Sequence, residues 1–246
     1  KQELASGKPE YIHSLLDLHE HYMNLVQNCF AGHAVFTKAM KDAFERFVNE
    51  QVGDTSTAML FANYCDSLLS VGGLGSKMMD SDVENALDKL VMLFSYLAEK
   101  DLFQEFCRKQ LAKRLLLDRS HSDDAERFLI SKLKQRCGSH FTSKLEGMIT
   151  DMRLSKDFQD RFVRSLGQGD EISSMGSVAM IGEIEFTVRV LTTGHWPTYQ
   201  EDKSLVLPSP LKTCISAYEN FYHSDTSQRV LRWVHSLGKG SLETSL

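Results

Sequence analysis

Cys137-Gly138-Ser139-His140 sets a thiol and an imidazole three positions apart, the first place in this sequence to look for metal or nucleophilic chemistry. A zinc site needs about four ligands. One cysteine–histidine pair supplies half of them, and a helix end followed by a surface loop explains the same residues. His13, His19 and His21 lack the i, i+4 spacing of a helical metal pair and read as solvated or packed helix residues. Asp123-Asp124 could form an acid–base pair, but the helix dipole alone accounts for carboxylates at a helix start. No glycine-rich phosphate loop, GxSxG elbow or HExxH run occurs. The cysteines, Cys29, Cys65, Cys107, Cys137 and Cys214, are scattered and odd in number, which fits free thiols in a reducing compartment. No catalytic residue, metal ligand or cofactor contact is therefore assigned. A thiol enzyme using Cys107 or Cys137 stays as a rival that a nearby base and a pocket would have to support.

Two patterns point to recognition instead. Arg108, Lys109, Lys113, Arg114 and Arg119, joined by Lys132, Lys134 and Arg136, concentrate positive charge in an acidic chain. They read as a solvated helix face, or as a dock for an acidic tail through Arg108, Lys109, Lys113 and Arg114. The second pattern is strict alternation from Glu183 to Val190, the mark of a half-buried strand. Ile184, Phe186, Val188 and Val190 share one face, and Trp233 belongs to a second strand over Arg229 to Ser236. Such a sheet is completed within its own protein or accepts a partner's strand along an edge, and the pattern does not separate the two.

The elements that must carry these residues are mostly helices. Asp101 reads as the N-cap of a helix with Leu102, Phe103, Phe106, Leu111 and Leu115 along it. A second follows Ser122, with Asp123, Asp124 and Glu126 in its first turn and Gly138 at its end. Ser143-Lys144-Leu145-Glu146 reads as a capping box opening a third, with a break expected near Leu154 where the apolar stripe restarts out of phase. Upstream, two helices run from Pro9 to Phe30 and across Phe36 to Val48, and need something beyond each other to cover their faces. A helix over Thr57 to Leu69 and one behind a capping box at Ser81 to Glu84 follow. Gly167 to Gly182 reads as a loop, Leu211 to Tyr222 as a helix, and Gly238-Lys239-Gly240 as a hairpin turn into Ser241 to Leu246. So few strands leave edges uncovered, and the part beyond about Leu166 is expected to be weakly protected without a partner.

Composition sets outer limits on function. The 246 residues are 42% hydrophobic and 25% charged, ordinary for a globular chain. With 28 basic against 33 acidic residues the net charge is -5, which argues against a dedicated nucleic-acid binder. No apolar run is long enough to span a bilayer, so no membrane partner is expected. The sequence opens at Lys1 without a signal segment and is read as a fragment.

YCDSLL (Tyr64 to Leu69), LAKRLL (Leu111 to Leu116), SDDAE (Ser122 to Glu126), ISKLKQRCG (Ile130 to Gly138), FTSKLEGM (Phe141 to Met148) and LTTGHWP (Leu191 to Pro197) occur in this order. In that wording and spacing the chain resembles the cullins, scaffolds of multisubunit ubiquitin ligases, and is most like the cullin-one branch of plant type. The resemblance implies a mainly α fold: the end of a helical cullin repeat (1–55), a four-helix bundle (56–168), a flexible loop (169–182) and the start of a small α/β domain (183–246). It implies a RING-box protein as partner, whose strand would meet Ile184, Phe186, Val188, Val190 and Trp233. It further implies an indirectly held ubiquitin-conjugating enzyme, a substrate-receptor adaptor in the full-length protein, and a place in the cytoplasm and nucleus. The expected role is positioning without catalysis; a generic helical adaptor is the alternative.

Overall fold

Two helices begin and end where short polar side chains and a glycine dictate. Ser56 starts α3 (Thr57–Leu69) by accepting a hydrogen bond from the Met59 amide at 3.3 Å. Ser122 does the same for α6 (Asp123–Cys137) through the Ala125 amide, and Gly138, at φ +84°, ends it. A serine oxygen satisfies one amide that has no partner within the helix, and only glycine takes that φ without strain. The computed structural model describes residues 9–50, 55–167, 178–199 and 205–241. The chain forms two compact units, Lys1–Glu146 and Gly147–Leu246, and the division falls within α7 (Ser139–Ser165).

In the first unit α1 (Pro9–Phe30) and α2 (Ala34–Asn49) are joined by Ala31 and Gly32, both at positive φ. After α3 come α4 (Asp80–Phe94), α5 (Lys100–Leu116) and α6, with α3 packed along α5 and α4 along α6. The core is a layer of leucine and phenylalanine: Leu68, Leu69, Leu87, Leu90, Phe94, Phe103 and Leu133 are almost wholly buried. Phe94 meets Phe103 with ring centroids 4.7 Å apart, and Phe141 at 5.8 Å. The first turns of α1 find their cover downstream, where Tyr11, Ile12, Leu15 and Leu16 are buried and α1 packs on α3 and α4. Its far end stays open, with Phe30 stacked on Phe36 at 4.1 Å and both exposed.

Several boundaries correct the sequence reading. α5 starts beyond Glu99, so Asp101 lies in the first turn instead of capping it. α4 starts beyond Met79, which places Ser81 and Glu84 inside the helix with no capping box. α7 starts directly after the Gly138 turn, four residues before Ser143. The Ser143 hydroxyl therefore donates back to the His140 carbonyl, and Glu146 accepts from Thr142 and Lys134. Nor is there a break at Leu154: the stripe changes phase because the later turns of α7 serve a different core. Phe106 and Leu102 also leave the predicted stripe, Phe106 half-buried and Leu102 exposed.

The second unit holds the rest of α7, an antiparallel pair β1 (Ala179–Ile181) and β2 (Ile184–Phe186), and α8 (Ser209–Asp225). The predicted strand is cut to its first half, and residues 229–236 form no strand, ending in a short 3₁₀ turn at His235–Leu237. Of the predicted loop, residues 179–181 are β1 and 168–177 lie outside the described residues, as do 51–54 in the first joint and 242–246 of the last predicted strand. Phe158, Phe162, Val163, Ala179, Val188, Tyr218 and Tyr222 give this unit a core of its own, which corrects the picture of an uncovered C-terminal segment. No described helix is long and apolar enough to cross a membrane.

Burial sorts the core substitutions. Phe94→Ala and Leu133→Ala should each cost about 2–5 kcal/mol in urea unfolding, and half-buried Phe106→Ala clearly less. A pH effect should follow from His19, buried edge-on to Phe44 at 4.8 Å with Nε2 3.2 Å from the Tyr96 hydroxyl. Burial lowers its pKa below the usual imidazole value, so the unfolded chain takes the proton first. Stability from this site is therefore present above about pH 6.5 and lost as the pH falls below it. His19→Gln should flatten that part of the profile; an unchanged slope between pH 7 and 5 would assign it to other groups.

Candidate partner interface

The β1–β2 hairpin turns at Gly182, φ +64°, and pairs Ile181 with Ile184, Met180 with Glu185 and Ala179 with Phe186. Beyond Phe186 the chain runs beside α7. Gln159 Nε2 donates to the Phe186 carbonyl at 3.0 Å, and the Val188 amide donates to Gln159 Oε1 at 3.1 Å. The Val190 amide donates to Ser155 Oγ, and that hydroxyl donates to the Val190 carbonyl, both at 2.8 Å. The Thr192 amide and hydroxyl donate to Asp151 at 2.8 Å, and Trp196 Nε1 donates to the same carboxylate at 2.7 Å. The His195 ring lies where a Cβ on Gly147 would come within 2.5 Å of it, so only glycine admits that ring against α7. Asp151, Ser155 and Gln159 are all buried and were not singled out from the sequence. The available signal was a polar side chain every fourth residue along an otherwise apolar helix face.

Of the five residues expected at a partner's strand, Val188 is buried in the aromatic core, with Phe186, Val190 and Trp233 packed half-buried against it. Trp233 Nε1 donates to Glu219 at 2.8 Å, and its ring lies 6.5 Å from Phe186. Ile184 is half-buried at the hairpin turn and outside this cluster. The Tyr218 hydroxyl is buried without a hydrogen-bond partner among the described residues, and burial raises its pKa.

The basic face on α5 divides. Arg114 does not lie on the predicted surface: it is buried, with Nε 2.7 Å and Nη2 2.9 Å from the two Glu126 oxygens and Nη1 on Asp66. Burial alone would lower its pKa, but Glu126 and Asp66 outweigh it and hold the cation firmly charged. Arg108 is mostly covered and pairs with Glu105 at 2.7 Å. Lys109 and Lys113 are exposed. On the neighbouring helix, Lys132 pairs with Asp88 and Lys134 with Glu146. Burial pushes the Cys107 and Cys137 thiols up, away from the thiolate that nucleophilic chemistry needs.

Breaking the buried pair should separate structure from surface. Arg114→Ala strands a carboxylate and should cost about 3–5 kcal/mol, whereas Lys109→Glu with Lys113→Glu should stay within about 0.5 kcal/mol of the parent. Equal urea midpoints for the two variants would refute this division.

Comparison with known proteins places the chain. A family model described as the cullin alpha solenoid domain matches residues 2–159, and one described as the cullin alpha+beta domain matches residues 190–246. Cullin-1 of Oryza sativa subsp. japonica is 41% identical over 239 residues, covering 97% of this chain and 31% of that protein. Cullin-2 of Arabidopsis thaliana is 44% identical over 227 residues, 92% of this chain and 29% of the relative. Cullin-4A of Homo sapiens is 37% identical over 235 residues, 95% of this chain and 29% of the relative. The chain thus spans under a third of the length of these relatives.

Proposed function

This chain belongs to the cullin family, and from that premise we propose that it works as a non-catalytic scaffold segment of a cullin-RING ubiquitin ligase. The observation that carries the reading is the order of the two domains, a helical solenoid followed by an alpha+beta part. A scaffold raises the effective concentration of substrate and conjugating enzyme without touching the reacting bond. In this reading residues 1–55 end a third cullin repeat, 56–168 form the four-helix bundle and 183–246 open the α/β domain. The RING-box protein adds a strand beside the β2 segment, where Phe186, Val190 and Trp233 offer half-buried apolar surface. A two-stranded sheet is marginal by itself, and strand addition supplies backbone bonds that it lacks. The substrate-receptor adaptor binds elsewhere in the full-length protein, and the complex acts in the cytoplasm and nucleus. Lys109 and Lys113, both exposed, provide a short-range attraction for the acidic tail of a conjugating enzyme, with Arg108 and Arg114 already engaged to carboxylates.

Co-expression with a RING-box protein tests this. Stoichiometric co-purification is expected, reduced by Phe186→Asp with Val190→Asp. In a ligase assembled around this chain, Lys109→Glu with Lys113→Glu should slow ubiquitin transfer at low salt and matter less as salt rises. A chain that folds but captures no RING-box protein would leave the generic helical adaptor as the better account.

A further inference from the structure

We infer that Asp151, Ser155 and Gln159 are positioning residues, a ladder on one helix that fixes the register of the strand segment following β2. Their hydrogen bonds reach residues 186, 188, 190 and 192, and no backbone group between them. In extended chain the amide and carbonyl of alternate residues face the same edge, so all these groups lie on one side of the segment. β1 occupies that side as far as Phe186, and α7 takes it over from there.

The geometry permits this because two periods agree. Four residues of α-helix rise about 6 Å, and two residues of strand advance about 6.6 Å. Side chains four apart on a helix can therefore meet alternate residues of a strand for about three rungs before the mismatch accumulates. The helix runs opposite to the segment, Gln159 taking Val188 and Asp151 taking Thr192. A slip by one residue would present the wrong backbone edge to all three side chains and turn Val188 out of the core. Thr187 and Leu191 direct their backbone groups to the other edge, where no backbone partner stands among the described residues. The Thr187 and Leu191 groups on that edge are thereby held in a single register. The identity of the strand that takes it rests on the scaffold reading above; the ladder does not.

Residue-resolved hydrogen exchange on this chain tests the ladder. The amides of Val188, Val190 and Thr192 should exchange slowly and those of Thr187 and Leu191 fast. Ser155→Ala should speed Val190 about five- to tenfold, the equivalent of one neutral hydrogen bond. Gln159→Ala should deprotect Val188, while Gln159→Glu, which keeps the acceptor and loses only the donor to Phe186, should leave Val188 protected. A merely structural helix would instead loosen the whole segment uniformly in every variant. That result, or equal exchange at odd and even positions, overturns the proposal. Added RING-box protein should protect Thr187 and Leu191, and unchanged exchange there in a captured complex would overturn the single-register edge. Alternating exchange with no capture at all would overturn the scaffold reading and uphold the ladder.

Discussion

A peptide group that leaves water must find a partner, and Val188, buried in the C-terminal core, has no strand beside it among the described residues to supply one. The helix supplies it. Gln159 receives the Val188 amide, Ser155 takes both backbone groups of Val190, and Asp151 collects Thr192 and the Trp196 indole. Phe158 and Phe162 lie one and three positions from Gln159, and turn toward Tyr218 and Tyr222. One helix thus provides apolar surface for the core and polar side chains for the backbone that enters it. Without the second contribution, burying Val188 would cost more than its side chain returns.

The same constraint, applied to charge, shapes the first unit. Arg114 enters the helical core, where an unpaired guanidinium would be prohibitively desolvated. Its planar fork meets both oxygens of Glu126 and still reaches Asp66, so α5 is tied to α6 and α3 at one point. Lysine, a point charge, could not make that bidentate contact. Glu126 also stands in the first turn of α6, where the helix dipole favours an acid, and the Ser120 hydroxyl donates to it at 2.7 Å. Nearer the start of α5 the packing is apolar instead, where the Phe94, Phe103 and Phe141 rings meet.

In the first unit, too, polar groups find their partners within the chain. Polar groups are satisfied within the protein at the Arg114 triad, at the α7 ladder, and at Asn49, which bonds the Tyr96 carbonyl and the Ala98 amide at 2.8 Å. Other side chains are less completely engaged. Phe186, Val190 and Trp233 are only half-buried against the C-terminal core, and Lys109 and Lys113 are exposed on α5.

Local signals were enough for much of this. Ser56, Ser122 and Gly138 mark helix ends because a cap depends on residues within one turn, and the leucine and phenylalanine stripes of α3, α4 and α6 follow from period alone. The mainly α class was legible in the same way, and the family through its resemblance in segments such as Leu111 to Leu116 and Phe141 to Met148. Three things were not, because each depends on residues far apart in the chain. Arg114 looked like its neighbours Lys109 and Lys113 until Asp66, 48 residues away, and Glu126 closed on it. The alternation of residues 183–190 implied a strand, but whether a strand or a helix would satisfy its edge was set by α7, roughly thirty residues earlier. The capping boxes at Ser81 and Ser143 failed because the chain entered each helix earlier, at a point fixed by the preceding turn. Sequence determines which groups need partners; the tertiary structure decides which partners reach them, since hydrogen bonds and ion pairs act over about 3 Å however distant the residues are in the chain.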